Sequence, residues 1–244
     1  AEISDPGGCK LGNRPLDTHF QGLRGLNVNL DKEDGYKLFT DGLVGDELWL
    51  LEASVTATDN LILASVKAKG TTTIYNAACE PHVQDLCNFL NHLGARIEGI
   101  GTNRLVIHGV QKLSGGEWSV IPDHIDVGGL IVAAAITGGE LLIKNAIPDH
   151  MTQILRYFEK VNLKVEIRGD DIFVPANQKL ECLSNIRGDI DKIYDQPWPM
   201  FPVDLIPQAL ILASCAEGNI MVGSRMYESQ LFFVEELLKM KGTM

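Results

Sequence analysis

The sequence predicts an α/β fold in which one β-α-β-α-β-β unit of about 70 residues recurs along the chain. The first indication is self-similarity, because aligning Leu61 with Leu130 also places Gly70 on Gly139, and a further step places Gly139 on Gly218. The second is that a segment rich in Leu, Ile and Ala precedes a glycine and a short β-branched run in each copy. The third is an amphipathic helix after that run.

The elements of the most complete copy follow in order. The segment that starts at Ala57 is expected to be a helix closed by Gly70, and Thr72–Tyr75 a strand. Two further strands are expected at Arg96–Glu98 and Arg104–His108. Between Tyr75 and Arg96, apolar residues spaced three and four apart indicate a helix with one buried stripe. The stripe is formed by Val83, Leu86, Cys87, Leu90 and Leu93.

The remaining copies follow the same pattern. Strands are expected at Leu141–Lys144, Ile172–Val174 and Ile220–Val222, after helices closed by Gly139 and Gly218. Residues 17–39 resemble the back half of an earlier copy, so the chain is expected to be an interior piece of a longer protein or one piece of a split one. The first helix of each copy is apolar on several faces, which predicts helices buried inside a ring of sheets.

Composition excludes some classes of function. A net charge of −11 argues against a general nucleic-acid surface, which needs a basic face. No apolar run reaches the roughly eighteen residues of a membrane span. The five cysteines are an odd number and show no metal-ligand spacing, so no structural zinc site or other metal site is predicted and a reducing cytoplasm is the simplest compartment. Four of them are expected to pack as small hydrophobic residues: Cys79, Cys87, Cys182 and Cys215.

A glycine-rich stretch near the start places a cysteine close to an arginine. Cys9 follows Gly7 and Gly8, and Arg14 comes five residues later. A guanidinium stabilises a thiolate and also binds phosphate or carboxylate, so the pair suits chemistry on an anionic substrate. A surface turn with an incidental thiol is the alternative.

Five ordered motifs resemble those of the enolpyruvyl transferases, in particular the members that act on UDP-N-acetylglucosamine. The resemblance runs over essentially the whole chain and covers a little over half of a complete member. The motifs are Gly7-Gly8-Cys9-x-Leu11-Gly12-x-Arg14-Pro15-x-Asp17, Ser54-Val55-x-Ala57-Thr58, Gly101-Thr102-x-Arg104, Ile121-Pro122-Asp123 and Phe201-Pro202-x-Asp204.

The resemblance implies two inside-out α/β barrels, both incomplete in this chain, with the active site in the cleft between them. Residues 1–121 would belong to the first barrel and residues 122–244 to the second. The implied reaction transfers the enolpyruvyl group of phosphoenolpyruvate to the 3′-hydroxyl of UDP-N-acetylglucosamine, releases phosphate and needs no cofactor. It is the first committed step of peptidoglycan synthesis, and hence of cell-wall growth, cell shape and division. A complementary chain that supplies missing repeats is a further expected partner.

Three residues match the family's catalytic positions. Cys9 matches the mobile-loop cysteine, a general acid or covalent partner of phosphoenolpyruvate and the residue that fosfomycin alkylates. Arg14 matches the arginine that contacts the phosphate-bearing reactant. Asp204 matches the carboxylate that handles the hydroxyl proton, although a helix N-cap before Leu205 is also physically sensible for it.

Further positions match the family's substrate-binding stretches. The matching residues are Pro15, Leu16, Asp17 and His19 in the uridine strip, Ser54 and Val55 at the diphosphate, and Glu228 in a loop near the sugar. His19 taken alone is also typical of an ordinary surface or helix histidine. Glu228 taken alone is also typical of a solvated carboxylate at a helix start.

Other positions depart from the family pattern. Glu52 stands where the family has lysine, His124 and Gln230 stand where it has arginine, Thr56 replaces glycine, and Val203 replaces threonine. Reversing a charge opposite a diphosphate weakens binding by at least roughly 1 kcal/mol. Two alternatives therefore stay open: a diverged transferase with another acceptor, and a non-catalytic paralogue that binds a nucleotide sugar.

Overall fold

The computed structural model describes residues 2–3, 15–33, 35–227 and 230–240. The chain divides into two compact units, Ala1–Ile121 and Pro122–Met244. Each unit contains its own cluster of buried hydrophobic residues.

The first unit contains two sheets. In the described residues its elements are β1 (Glu2–Ile3), α1 (Asp17–Gly25), β2 (Asn29–Glu33), β3 (Gly35–Phe39), β4 (Glu47–Trp49), α2 (Val55–Ser65), β5 (Thr71–Tyr75), α3 (Pro81–His92), β6 (Arg96–Glu98) and β7 (Arg104–His108). One sheet has the antiparallel order β1-β3-β2. The other has the order β4-β5-β7-β6, in which only the β4–β5 pair is parallel.

The second unit repeats these arrangements. Its described elements are α4 (His124–Ile136), β8 (Leu141–Ile143), α5 (Pro148–Phe158), β9 (Glu166–Arg168), β10 (Asp171–Val174), β11 (Lys192–Tyr194), α6 (Ile206–Ser214), β12 (Met221–Gly223) and α7 (Val234–Lys239), with 3₁₀ turns at Glu159–Val161 and Val203–Leu205. One sheet is antiparallel in the order β8-β10-β9, and the other pairs β11 with β12 in parallel.

The strand orders confirm the predicted repeat. The orders β1-β3-β2, β5-β7-β6 and β8-β10-β9 are the same antiparallel motif three times. The parallel pairs β4–β5 and β11–β12 each enclose one helix, α2 and α6, in the same β-α-β connection. The stretch 17–39, predicted as the back half of a copy, is α1 followed by the β2–β3 hairpin, as α3 is followed by β6 and β7.

The Ala- and Leu-rich helices α2, α4 and α6 contribute buried residues to the cores of their units. In β4, Leu48 is buried while its neighbours Glu47 and Trp49 are exposed, so one sheet face lies against the core and the other faces solvent. Helix α2 packs against α1 and α3 as well as against β5 and β7, which buries Leu61 and Ile62 completely. The predicted burial of the Ala- and Leu-rich helices is confirmed.

The predicted helix-closing role of the glycines is wrong. Helices α2 and α6 end at Ser65 and Ser214, several residues before Gly70 and Gly218. These two glycines have φ of 93° and 97° and turn the chain toward the next strand. After α4 the left-handed residue is Gly138, with φ of 68°, rather than Gly139.

The prediction that four cysteines pack inside the core holds in full only for Cys87, which is buried. Cys79 and Cys182 are half-buried, and Cys215 is exposed because it follows the last residue of α6. Burial raises the pKa of the Cys87 thiol to about 12. No helix among the described residues is long and apolar enough to cross a membrane. In the same residues, no group of three or more His, Cys, Asp and Glu side chains could hold a metal ion.

Candidate functional site

The structure places most of the predicted site residues. Pro15, Leu16, Asp17 and His19 lie at and just before the start of α1, Ser54 and Val55 lie at the start of α2, and Asp204 lies in the second unit. Cys9, Arg14 and Glu228 lie outside the described residues.

An open pocket of about 470 Å³ lies beside the start of α1. Leu16 and Asp17 line it together with Phe20, whose ring lies 4.6 Å from that of Tyr36 on β3. Arg24 and Lys32 add two cationic side chains to the wall, and Lys32 Nζ lies 5.3 Å from the centre of the Tyr36 ring. The pocket therefore combines aromatic faces with positive charge, which suits a planar base attached to an anion.

The sequence analysis missed the far wall of this pocket. Lys32 and Tyr36 face each other across the β2–β3 hairpin, directly paired in its register. Arg24 lies two helical turns beyond Asp17, on the same side of α1. Periodicity identifies that side of the helix, but it cannot show which hairpin packs against it.

His19 joins α1 to α2. The Asn60 amide donates to Nδ1 at 2.9 Å, and Nε2 lies 3.3 Å from Thr56 Oγ1, so the neutral ring donates from Nε2 to the threonine hydroxyl. Burial lowers the pKa of His19, and the nearby Glu52 carboxylate offsets part of that shift. Both ring nitrogens are engaged within the unit, and Thr56, a departure from the family pattern, supplies one of the contacts.

Glu52 is tied to the same helix. Thr18, whose side chain is buried, donates from Oγ1 to Glu52 Oε1 at 3.4 Å. Thr18 and His19 are neighbours in α1, and together they hold the segment that leads into α2. The carboxylate at the position of the expected lysine therefore accepts a hydrogen bond from within the unit.

Ser54 is the N-cap of α2. Its Oγ accepts from the Ala57 amide at 3.4 Å, and its carbonyl accepts from Thr58 Oγ1 at 2.7 Å. Thr58 in turn accepts from the Ala78 amide at 3.0 Å, which anchors the helix start to the residues after β5. The first turn of a helix presents unpaired N–H groups and the positive end of the macrodipole, so this position favours an anion.

Close packing fixes the angle between α1 and α2. Gly22 lies against Leu61, and a Cβ at Gly22 would come within 2.4 Å of Leu61 Cδ1. Only glycine permits this approach without displacing the leucine. The starts of the two helices are consequently held in one arrangement by packing as well as by hydrogen bonds.

Asp204 occupies an exposed position in the 3₁₀ turn Val203–Leu205, directly before α6. The N-cap of α6 is Leu205, and no side chain caps either the turn or the helix. The alternative role of Asp204 as a helix cap is therefore wrong. Within the described part of the chain, its carboxylate has no hydrogen-bond or ion-pair partner.

Buried residues hold the turn that carries Asp204. Leu205 is fully buried against Gly128 of α4, where a Cβ would come within 2.9 Å of both leucine methyl groups. Phe201 is also fully buried, with ring centres 5.0 Å from Tyr157 and 6.0 Å from Phe158. The free carboxylate thus projects from a rigid support.

Two of the residues that depart from the family pattern are buried rather than exposed to solvent. His124 is buried and meets the Trp198 ring edge-on at 5.3 Å between ring centres. Gln230 is buried too, and its Nε2 donates to the Val203 carbonyl at 3.2 Å. Where the family pattern has cations, these side chains pack and hydrogen-bond inside the second unit.

The sequence analysis also missed Asp195. It directly follows β11, is 0% exposed, and accepts from the Ser224 hydroxyl and from the amides of Arg225 and Met226. No motif marks this aspartate, because its partners are mostly backbone groups brought beside it by the β11–β12 pairing.

Comparison with known proteins identifies relatives along the whole chain. The model of the EPSP synthase (3-phosphoshikimate 1-carboxyvinyltransferase) family matches residues 2–244. A UDP-N-acetylglucosamine 1-carboxyvinyltransferase of Bacteroides thetaiotaomicron is 47% identical over 98% of this chain and 56% of its own length. A protein of the same name from Borrelia garinii subsp. bavariensis is 48% identical, again over 98% of this chain and 56% of its own length. The chain thus spans little more than half the length of the curated relatives it matches.

Solved structures show the same fold. The enolpyruvyl transferase NikO from Streptomyces tendae superposes with a TM-score of 0.77 at 20% identity, over 92% of this chain and 55% of that one. EPSP synthase from Acinetobacter baumannii gives a TM-score of 0.64 at 22% identity, over 96% and 55%.

Proposed function

Because the chain belongs to the EPSP synthase family of enolpyruvyl transferases, we propose that it is part of a carboxyvinyltransferase with UDP-N-acetylglucosamine as its acceptor. Phosphoenolpyruvate is the proposed donor. The curated relatives named for this reaction, 41–48% identical over nearly all of the chain, support the choice of acceptor. The product would enter peptidoglycan synthesis at its first committed step, in the cytoplasm.

The proposed reaction is an addition followed by an elimination. The sugar 3′-oxygen bonds to C2 of phosphoenolpyruvate while a proton is added at C3, which gives a tetrahedral phospho-ketal. Loss of a proton from C3 and of the phosphate then restores the double bond as an enol ether. The chemistry needs a base for the hydroxyl proton, an acid at C3 and cations around the phosphate.

The observation that carries the proposal is the free carboxylate of Asp204. A general base must be ionised, accessible and held in place, and Asp204 is an exposed carboxylate without a partner among the described residues, on a turn fixed by buried Leu205 and Phe201. We assign it the removal of the hydroxyl proton.

The first unit is proposed to bind the nucleotide. The pocket beside Leu16 and Asp17 offers aromatic and cationic groups for uridine and its phosphates. Ser54 and Val55, at the start of α2, are proposed to hold the diphosphate through backbone N–H groups and the serine hydroxyl. His19 supports both segments through Thr56 and Asn60.

Three further roles rest on sequence motifs alone. Cys9 is proposed as the acid at C3 and the site of fosfomycin alkylation, Arg14 as the cation at the phosphate, and Glu228 as a contact to the sugar. All three lie outside the described residues.

A different acceptor is the second candidate function. The observation that favours it is the replacement of expected cations by Glu52, His124 and Gln230, of which His124 and Gln230 are buried. A third reading, a paralogue that binds a nucleotide sugar without turnover, shares the same pocket.

Phosphate release from phosphoenolpyruvate, measured on the complete gene product with a panel of UDP-sugars, tests the proposal. We expect release that depends on UDP-N-acetylglucosamine and is blocked when fosfomycin labels Cys9. Release with another UDP-sugar only would favour the second candidate. UDP-sugar binding without any release and without fosfomycin labelling of Cys9 would favour the paralogue.

A further inference from the structure

Asp195 is a fully buried carboxylate engaged by a single turn. It accepts from Ser224 Oγ at 2.8 Å and from the amides of Arg225 and Met226 at 2.5 Å and 3.2 Å. Burying a carboxylate is costly unless donors satisfy it, and backbone N–H groups are suitable donors. The donors come from consecutive residues, so the carboxylate determines the conformation of that turn.

The pairing of β11 with β12 explains why these groups meet. Tyr194, the last residue of β11, lies opposite Gly223, the last residue of β12. Asp195 and Ser224 therefore follow at the same edge of the sheet. The Arg225 guanidinium also lies 4.0 Å from the centre of the Tyr194 ring, which adds a second contact between the two strand ends.

Two chain segments leave this junction. One runs from Asp195 through buried Phe201 to Asp204, and the Gln196 amide donates to the Phe201 carbonyl at 3.0 Å to fix its course. The other contains Ser224–Met226 and Tyr227, whose carbonyl accepts from the Gln230 amide at 3.4 Å. Gln230 Nε2 in turn donates to the Val203 carbonyl, next to Asp204.

We propose that Asp195 is a positioning residue of the transferase reaction: its carboxylate sets the Ser224–Met226 turn, and Gln230 ties the chain after that turn to the segment that carries Asp204. The role rests on the proposed function, because Asp204 is the proposed base. Asp195 touches no substrate. It acts by holding the two segments in one relative geometry.

Replacing Asp195 by asparagine tests the proposal in the complete protein. Asparagine keeps the size of the side chain but has one acceptor oxygen and an amide that cannot accept. We expect kcat to fall by about 100-fold, the cost of a small misplacement of reacting groups. KM for UDP-N-acetylglucosamine, proposed to bind through the first unit, should change by less than about 3-fold. Amide hydrogen exchange should rise at residues 224–227 and 203–205.

Asp171→Asn is the matched control. Its Oδ1 accepts from the Asn145 amide at 2.8 Å in the same unit, away from the turn. We expect a smaller loss of stability than in Asp195→Asn, because Asp171 is only half-buried and accepts this single bond, and we expect unchanged kcat. Equal losses of kcat in the two variants, or exchange that rises throughout the unit, would assign Asp195 a purely structural role and overturn the proposal.

Ser224→Ala covers the case in which Asp195→Asn fails to fold. It removes one donor and leaves both backbone amides, so we expect a fall in kcat of about 10-fold or less with the same local rise in exchange. Gln230→Glu removes the donor to Val203. It should lower kcat, whereas Gln178→Glu, which removes an equivalent bond to the Pro175 carbonyl, should not.

The proposed reaction and the proposed role of Asp195 can be refuted independently of each other. A wild-type protein that releases no phosphate with any UDP-sugar would contradict the proposed function. The exchange measurement needs no substrate and would still decide whether Asp195 fixes the turn. Unchanged exchange at residues 224–227 in both Asp195→Asn and Ser224→Ala would overturn the proposal.

Discussion

The candidate residues of the first unit and those of the second are held in different ways. In the first unit, the starts of α1 and α2 are joined by side-chain hydrogen bonds to exposed groups: Thr18 donates to Glu52, and His19 bonds with Thr56 and Asn60. In the second unit, Asp204 projects from a turn whose supports are buried, among them Leu205 and Gln230.

The difference matches the work proposed for each region. A surface that binds a nucleotide must present several polar groups and tolerates small adjustments, since each contact contributes modestly. A group that removes a proton must stay within hydrogen-bond reach of one atom, so its support has to be rigid. Substitutions in the first unit should therefore change affinity, and substitutions in the second should change turnover.

The largest effect is expected for Asp204→Asn. Loss of a general base lowers kcat by about 100- to 10,000-fold. Because the carboxylate is exposed and unpartnered in the described structure, the free energy of unfolding should change by less than about 0.5 kcal/mol. Phosphate release and denaturant unfolding measure the two quantities. Asp149→Asn, an exposed acid at the start of α5, is the control and should change neither; full turnover in Asp204→Asn would refute the assigned role.

Removing the support beneath Asp204 should come next. Leu205→Ala leaves a cavity against Gly128 and should cost about 2–5 kcal/mol of unfolding free energy. Leu61→Ala, equally buried and packed against Gly22 in the first unit, is the matched variant. We expect similar losses of stability, with kcat lowered by the first variant and UDP-sugar affinity by the second. Lower UDP-sugar affinity in Leu205→Ala together with lower kcat in Leu61→Ala would contradict the proposed division of turnover and binding between the units.

Substitutions at Ser54 distinguish its role as a helix cap from its proposed role in anion binding. Ser54→Ala should cost about 1 kcal/mol of stability through loss of the cap. Ser54→Asp keeps a capping side chain and adds a negative charge at the helix start, so stability should be retained. Calorimetric titration with UDP-N-acetylglucosamine should nevertheless show weaker binding by Ser54→Asp, because the carboxylate repels the diphosphate. Wild-type affinity in that variant would place the diphosphate elsewhere.

The smallest effect concerns pH. Burial lowers the pKa of His19, against the raising effect of Glu52, so the folded state prefers the neutral ring. The unfolded chain binds the proton more readily, and the unfolding free energy of the wild type should fall as pH drops below 6.5. His19→Gln should flatten that slope, measured by urea unfolding between pH 7 and 5. An identical slope in His19→Gln would show that the ring is not buried in its neutral form.

Sequence patterns predicted the elements better than their junctions. Strands Arg96–Glu98 and Arg104–His108 were predicted with the bounds that the structure shows, because alternation and flanking turns define them locally. Gly70 and Gly218 were wrongly predicted to close helices. A glycine with positive φ can turn the chain at any position, and not only directly after the last helical residue.

The residues of the candidate site show the same difference between what local patterns predict and what depends on packing. The role of Asp204 is predicted from its motif alone and stays a prediction. That Asp204 does not cap the helix could be judged only once the N-cap of α6 was located. Asp195 gave no signal, because its donors become neighbours only through the pairing of β11 and β12. The contacts of His19 likewise depend on the packing of α1 against α2, which no local pattern specifies.

Binding and turnover measured side by side in Asp204→Asn and Ser54→Asp of the complete protein test the division most directly. Asp204→Asn should bind UDP-N-acetylglucosamine with wild-type affinity and release phosphate at least about 100-fold more slowly. Ser54→Asp should bind more weakly and approach the wild-type kcat at saturating UDP-sugar. Lost binding in Asp204→Asn, or wild-type affinity with lost turnover in Ser54→Asp, would contradict the account.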